Sequence, residues 1–284
     1  MQKIETTAKC IYPDSRSAKH IRYAKSLGLR GLGPSHRHKG EVVLCGSGLS
    51  IRKHVKDIKA LQDKGAQVVG IKAAHDFLVD NGIKPNFGYA IDPQENIVNV
   101  FDKDKMQEDT VYLLASQCHP NLFNHFLGIP KGTALTNFVR RFFRRDNKQT
   151  NIILFHLLSE AAKEVVPMEM QVGGASTSGL RAITTFWLMG FRRFHLFGYD
   201  CVLGPDRVRK IDGQKLAPEK EPVEFQINGE GEKFVCDKAM LAQCDEFQKI
   251  IAMHGGDMKI SITGIGPMKK ILEMRKLVGC VDAA

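Results

Sequence analysis

Short apolar runs that stop on a glycine or an acid, each followed by helical spacing, restrict what this chain can fold into. Residues 42–45 (Val-Val-Leu-Cys) run into Gly46-Ser47-Gly48-Leu49-Ser50, and Ile51, Val55, Ile58 and Leu61 then recur on one helix face before Gly65. Residues 68–71 form a second run, followed by a short predicted helix over 75–79 that ends near Gly82. Residues 87–91 lead into Asp92-Pro93, residues 111–115 into Ser116-Gln117, and residues 194–197 into Gly198-Tyr199-Asp200. Strands without polar alternation are buried on both faces. Alternating with helices, they predict a Rossmann-like α/β fold: an open, mostly parallel sheet with helices on both faces.

The flanks carry weaker signals. Residues 1–40 are polar, basic and broken by Pro13, Gly28, Gly31, Gly33 and Pro34, which predicts an N-terminal extension with one helix over 15–27 and a loop over 28–40. Residues 41–284 are read as one catalytic domain, with core motifs in 41–200 and a C-terminal elaboration in 201–284. That elaboration comprises a polar loop over 201–222, a hairpin around Asn228-Gly229, a helix over 237–253 and a strand over 259–263 that enters Gly264-Ile265-Gly266-Pro267 and a last helix. The stretch 120–170 reads as helical connections plus one strand near 152–158.

Composition narrows the class. With 284 residues, 43% of them hydrophobic, the chain can bury a full core. Its seven cysteines include no C-x-x-C pair, which argues for reduced, buried thiols over a disulfide framework or a zinc site. No run of 18 apolar residues occurs, and residues 1–12 hold no apolar stretch of leader length, so the expectation is a cytoplasmic protein with no membrane span. A net charge of +10 favours anionic partners, whether nucleotides, phosphates or nucleic acid, without choosing among them.

In open parallel sheets, ligands bind beyond the carboxyl ends of the strands. The 46–50 turn, Asp92, Ser116, Gln117 and Asp200 are all expected at that one edge. Glycine at Gly46 and Gly48 lets a phosphate approach the backbone, and the following helix turns its free N–H groups toward the anion. The second glycine-rich turn, Gly173-Gly174-Ala175-Ser176-Thr177-Ser178-Gly179, adds hydroxyls at a helix start. Tight turns and helix N-caps use the same residues, and Ser50 suits an N-cap. Asp92 and Asp200 suit Mg²⁺ binding, a ribose hydrogen bond or a catalytic base, and each also suits capping of a neighbouring turn.

Several of these segments resemble the MptE-like 6-hydroxymethylpterin diphosphokinase family, which also includes the bacterial motility accessory factors. They are the 43–50 stretch, Gly82-Ile83-Lys84-Pro85-Asn86 leading to Ile91-Asp92-Pro93, Thr177-Ser178-Gly179, Leu188-Met189-Gly190-Phe191 and Leu196-Phe197-Gly198-Tyr199-Asp200. The segments are also similar to the family-42 sialyltransferases, which share a related fold and bind a cytidine-monophosphate sugar. The resemblance implies a Rossmann-like core and phosphate contact at Gly46, Ser47, Gly48 and Ser50. It also implies ligand or metal contact at Asp92, nucleotide contact at Thr177, Ser178 and Gly179, and a polar strand-end role for Asp200. The chain departs from the family in having Leu49 where a proline is usual, and Lys72-Ala73-Ala74-His75 where an asparagine often stands.

Three functions follow as expectations. One is a diphosphokinase-type transferase that moves pyrophosphate from ATP to a hydroxymethyl acceptor, with Mg²⁺ on Asp92 and Asp200 and phosphates on the turns. The alternative is a glycosyltransferase using a nucleotide-activated sugar such as a CMP-nonulosonic acid, without an obligatory metal. By residue type alone, its base would be His119, His125 or His195. The partners in both cases are a nucleotide and a small-molecule acceptor. The third is a nucleic-acid-binding protein, suggested by Arg140, Arg141, Arg144 and Arg145 interleaved with Phe138, Phe142 and Phe143.

Overall fold

The computed structural model describes residues 14–33, 35–129, 151–227 and 231–281. The strands are β1 (Arg30–Gly31), β2 (Glu41–Cys45), β3 (Gln67–Ile71), β4 (Phe87–Ala90), β5 (Val111–Ala115), β6 (Asn151–Leu157), β7 (Gln171–Val172), β8 (Arg193–Phe197), β9 (Val223–Gln226), β10 (Lys233–Cys236) and β11 (Lys259–Thr263). The helices are α1 (Asp14–Ser26), α2 (Val55–Asp63), α3 (Ala73–Asp80), α4 (Pro120–Leu127), α5 (Glu160–Val165), α6 (Ser178–Leu188), α7 (Lys238–His254) and α8 (Pro267–Val281). Among these residues, no helix is long and apolar enough to cross a membrane.

The main sheet runs in the order β1-β6-β5-β4-β3-β2-β8-β11, with β7 added beside β6, and every pairing in it is parallel. This is the Rossmann-like α/β arrangement. The order reverses at β2: the chain moves through β3, β4, β5 and β6 on one side, then returns to place β8 on the other. The expected hairpin is present as antiparallel β9 and β10, while Asn228 and Gly229 lie outside the described residues.

Strand alternation assigns the two faces. Val42 and Leu44 of β2 join Val69, Tyr89, Leu113, Phe155 and Phe186 in the larger core. Val43 and Cys45, one residue out of phase, pack with Val68, Ile51, Ile58, Leu78 and Phe197 on the opposite face. Both faces are covered, so the runs carry no polar phase. Helix α6 crosses the larger core, with Ile183 and Phe186 fully buried. The hydroxyls of Tyr89 and Thr185 meet at 2.9 Å within it.

The segment before residue 41 is packed against the sheet. Ala18 and Ile21 of α1 meet Ala161, Ala162 and Val166. Arg30 and Gly31 pair with Ile153 and Leu154, so a two-residue strand stands inside the stretch expected to be loop. Such a strand is too short for periodicity to mark. The first turn also differs locally: a 3-10 turn (Leu49–Lys53) precedes α2, and the cap positions are Gly48 and His54 rather than Ser50.

Replacing the fully buried Phe186 by alanine removes a ring shared by α6 and the sheet. The expected loss is about 3–5 kcal/mol, measured by urea unfolding. A loss within experimental error would show that this helix does not form part of the cooperative core.

Candidate functional site

The switch at β2 brings the two loops that follow β2 and β8 together, and a buried acid joins them. Cys45 pairs with Phe197 in register, so Gly46 and Gly198 leave the sheet side by side. The Gly46 N–H donates to Phe197 O at 2.8 Å, and the Gly48 N–H to Gly198 O at 2.9 Å. A Cβ on Gly48 would lie 2.6 Å from both the Asp200 carboxylate and Gly198 O. Glycine is therefore required here for loop-on-loop contact, and these two N–H groups are already bonded within the chain. Asp200 is 3% exposed. Its Oδ2 accepts the Ser50 N–H at 2.7 Å, and its Oδ1 accepts the Ser50 hydroxyl. Burial pushes the Asp200 carboxyl above its ordinary range, while the Ser50 hydrogen bonds and nearby His54 pull it down without cancelling the effect.

The second turn is held in a comparable way. The buried Arg181 reaches back from α6, its Nε donating to Ala175 O at 2.7 Å and an Nη to Val172 O at 2.8 Å. The Ser176 hydroxyl donates to Glu246 of α7 at 2.9 Å, and the Ser176 N–H lies 3.1–3.2 Å from the same carboxylate. This turn therefore holds an anion, and the anion is part of the chain. Gly174 takes φ +117° where the turn passes against Thr184, and Gly179 O accepts the Tyr199 hydroxyl at 2.9 Å. Gly173 lies in the same loop, beside Leu158. Thr177 stands at the α6 N-cap position without a side-chain capping bond.

Asp92 occupies a different part of the edge. It follows β4, and its Oδ2 accepts from Lys72 Nζ at 2.6 Å, while Oδ1 accepts the Gln94 N–H at 3.0 Å. Lys72 follows β3 with φ 54° and ψ −126°, a backbone conformation that an L side chain adopts at a cost of about 1–3 kcal/mol. Lys210 comes from the 205–217 segment. Its neighbour Ile211 is buried in the smaller core and donates its N–H to Ser47 O at 2.9 Å, while Arg52 donates to Ile211 O at 2.9 Å. The edge thus carries Ser47, Lys72, Asp92 and Lys210.

The structure does not bring the two expected metal ligands together. The ends of β4 and β8 are three strand steps apart, about 14 Å at ~4.8 Å per step. A single Mg²⁺ holds its oxygens at about 2.1 Å, so two ligands of one ion lie within roughly 4 Å of each other. Asp200 moreover faces Ser50, and Asp92 faces Lys72. These two residues do not fit a shared Mg²⁺ site. Among the described residues, no cluster of three His, Cys, Asp or Glu side chains is arranged to hold a metal. Cys45, Cys118, Cys201, Cys236 and Cys244 are free thiols.

The remaining polar strand ends serve mostly within the chain. Gln117 clasps the Leu157 backbone, donating to its O at 2.9 Å and accepting from its N at 3.2 Å, and Ser116 meets His156 Nδ1 at 2.8 Å. His195 is bonded to Ser261 and Glu41, and His125 to Phe101 O. His75 is fully buried between Asp76 and Tyr112. His119 stands at the edge as the N-cap of α4. Its Nδ1 accepts the Asn121 N–H at 3.2 Å, so in the neutral ring the proton sits on Nε2, which is then a donor and not a base. Burial holds its pKa below the ordinary histidine value. The Arg140–Arg145 cluster lies outside the described residues. Lys210 was invisible to sequence reading, because a lysine in a polar loop has no periodic signal. Arg181 was hidden in the same way by its place on an apolar helix.

The open, parallel, Rossmann-like sheet with its switch point at β2 defines a broad fold class. Within it, the chain belongs to the MptE-like family: the family model described as "6-hydroxymethylpterin diphosphokinase MptE-like" matches residues 32–206. The structure is also similar to that of a MAf glycosyltransferase from Magnetospirillum magneticum AMB-1, with a TM-score of 0.62 and 18% identity. That likeness covers 88% of this chain and 37% of the other, so the chain spans little more than a third of that protein. No curated protein matches the chain.

Asp200 gives a pH test. Its native pKa is raised, so the folded state holds the proton more tightly than the unfolded chain does. Its contribution to stability is then greatest below the ordinary carboxylate pKa of about 4, and it declines as pH rises through the native value. Asp200→Asn cannot titrate. The stability of the wild type relative to Asp200→Asn should therefore fall as pH rises above about 4 in paired urea melts. A difference that is flat or rises with pH would contradict the burial-driven shift.

Proposed function

We propose that the chain is a nucleotide-dependent transferase whose donor binds at the C-terminal edge of the sheet, over Ser47, Lys72 and Lys210, with Thr177 and Ser178 at the α6 start on the same edge. The reading is supported by the topology, because the switch at β2 is where open α/β sheets bind nucleotides. The family description and the glycosyltransferase neighbour point the same way.

Of the two transfer chemistries, glycosyl transfer from a nucleotide-activated sugar is the one the geometry favours. The observation behind this is the separation of Asp92 from Asp200, together with the Lys72–Asp92 ion pair. Pyrophosphate transfer from ATP relies on metal ions that bridge and neutralise the phosphates. The expected acid pair is not assembled here. In glycosyl transfer, the departing nucleoside monophosphate needs charge stabilisation, which Lys72 and Lys210 would supply from this edge. The family description keeps the diphosphokinase reading as the competing one.

The product distinguishes the two. Diphosphokinase chemistry releases AMP from ATP, and the glycosyl reading releases CMP from a CMP-sugar. The expected result is a rise in melting temperature with CMP or a CMP-sugar, and CMP release that continues in EDTA. Gly48→Val should lose both, because its side chain has no room beside Asp200 and Gly198. Magnesium-dependent AMP release would instead establish the diphosphokinase, and no shift with any nucleotide would defeat both readings.

A further inference from the structure

We propose that Lys72 and Lys210 together form the seat of the donor's phosphate, two ammonium groups standing where a metal-dependent site would place a divalent cation. The inference rests on the nucleotide reading above and extends it to the residues that neutralise the leaving phosphate.

Register places the first lysine. Cys45 pairs with Gly70 across β2 and β3, so Ser47 and Lys72 leave the sheet at the same level on neighbouring strands. The second lysine is placed by an apolar anchor. Ile211 is 9% exposed, lies in the smaller core and is hydrogen-bonded to Ser47, which sets Lys210 beside the same turn. Lys72 and Lys210 thus flank the same turn, Lys72 one strand step away with Asp92 bonded to it at 2.6 Å, and Lys210 through the Ile211–Ser47 backbone bond. A phosphate between the lysines would lie next to Ser47, whose own N–H and hydroxyl form no hydrogen bond with another described residue.

The charges around this spot do not balance. Lys72 is answered by Asp92. Arg209, adjacent to Lys210, is answered by Asp237 at 2.8 Å. Lys210 is half-buried, and among the described residues it has no ion pair; the nearby Asp212 is exposed and stands beyond salt-bridge distance. Burial, and then the charge of Lys72, hold the Lys210 ammonium below the ordinary lysine range. An incoming anion relieves both effects, and an incoming dication would worsen the second.

The Lys72 backbone supports the same assignment. Its positive φ is held by the Lys72 N–H donating to Tyr89 O at 3.0 Å and by the His75 N–H donating to Lys72 O at 2.9 Å. Glycine would occupy this position without strain. A side chain that serves only packing gains nothing from standing there, whereas one that presents an ammonium at the strand end does.

The test is calorimetric titration of the full chain with CMP and with ATP, in EDTA and in Mg²⁺, with inorganic phosphate as a competitor. Wild-type affinity should be unchanged by EDTA and weakened by phosphate. Lys210→Ala and Lys72→Gly should each weaken binding about ten-fold or more, and Lys210→Arg should retain it. The melting temperature of Lys72→Gly should change little, since relief of the backbone strain offsets loss of the Asp92 ion pair, which separates loss of the ligand from loss of the fold. Variants that bind as tightly as the wild type, or wild-type binding that requires Mg²⁺, would overturn the proposal while leaving the nucleotide site intact. A wild type that binds neither nucleotide would defeat the nucleotide reading, and this proposal with it.

Discussion

The carboxylate of Asp200 is buried at the one place where the sheet changes direction, and it accepts two hydrogen bonds from Ser50 there. Two strands that are 148 residues apart at Cys45 and Arg193 in the chain are neighbours in the sheet, and their following loops must be held at a fixed separation. A buried acid with both oxygens occupied does this, because moving either loop would leave a desolvated carboxylate unpaired. Gly46 and Gly48 then become obligatory, since any side chain would push the loops apart. The position of Ser47, and through it of Ile211 and Lys210, follows from this junction.

Polar groups along the edge fall into two sets. One is satisfied within the chain: Ser176 by Glu246, Gln117 by the Leu157 backbone, Asp200 by Ser50. The other is left open at this edge: Ser47, Thr177, Lys72 with its partner Asp92, and Lys210. A binding edge of a parallel sheet needs the first set to keep the second in place. The open set is more positive than negative and presents several donors, which is what the proposed phosphate seat rests on. The site is therefore defined by the groups that remain unpaired, since the glycine turns are closed by contacts within the chain.

Much of the frame was legible in advance. The runs at 42–45, 68–71, 87–91, 111–115, 194–197 and 259–263 all became strands of one sheet, because burial on both faces removes polar alternation and leaves a clear apolar signal. Other features were not legible. The two residues of β1 are too few to show a period. Ser50 carries the signature of an N-cap, yet its hydroxyl serves an acid 150 residues away. Lys210 lies in a polar loop whose composition is no different from that of a solvated surface.

By itself, the sequence determined the principal strands and helices, the Rossmann-like class and the edge of the sheet at which polar residues gather, since these depend on local spacing and on the apolar pattern. It did not determine which of those residues meet. Asp92 and Asp200 look alike in sequence, each an acid ending an apolar run, but the strand order places three steps between them and gives one to Lys72 and the other to Ser50. Strand order arises from long-range packing of the crossover helices, which no local window contains. Only the tertiary structure could separate the two acids and bring two lysines, 138 positions apart at Lys72 and Lys210, to the same turn.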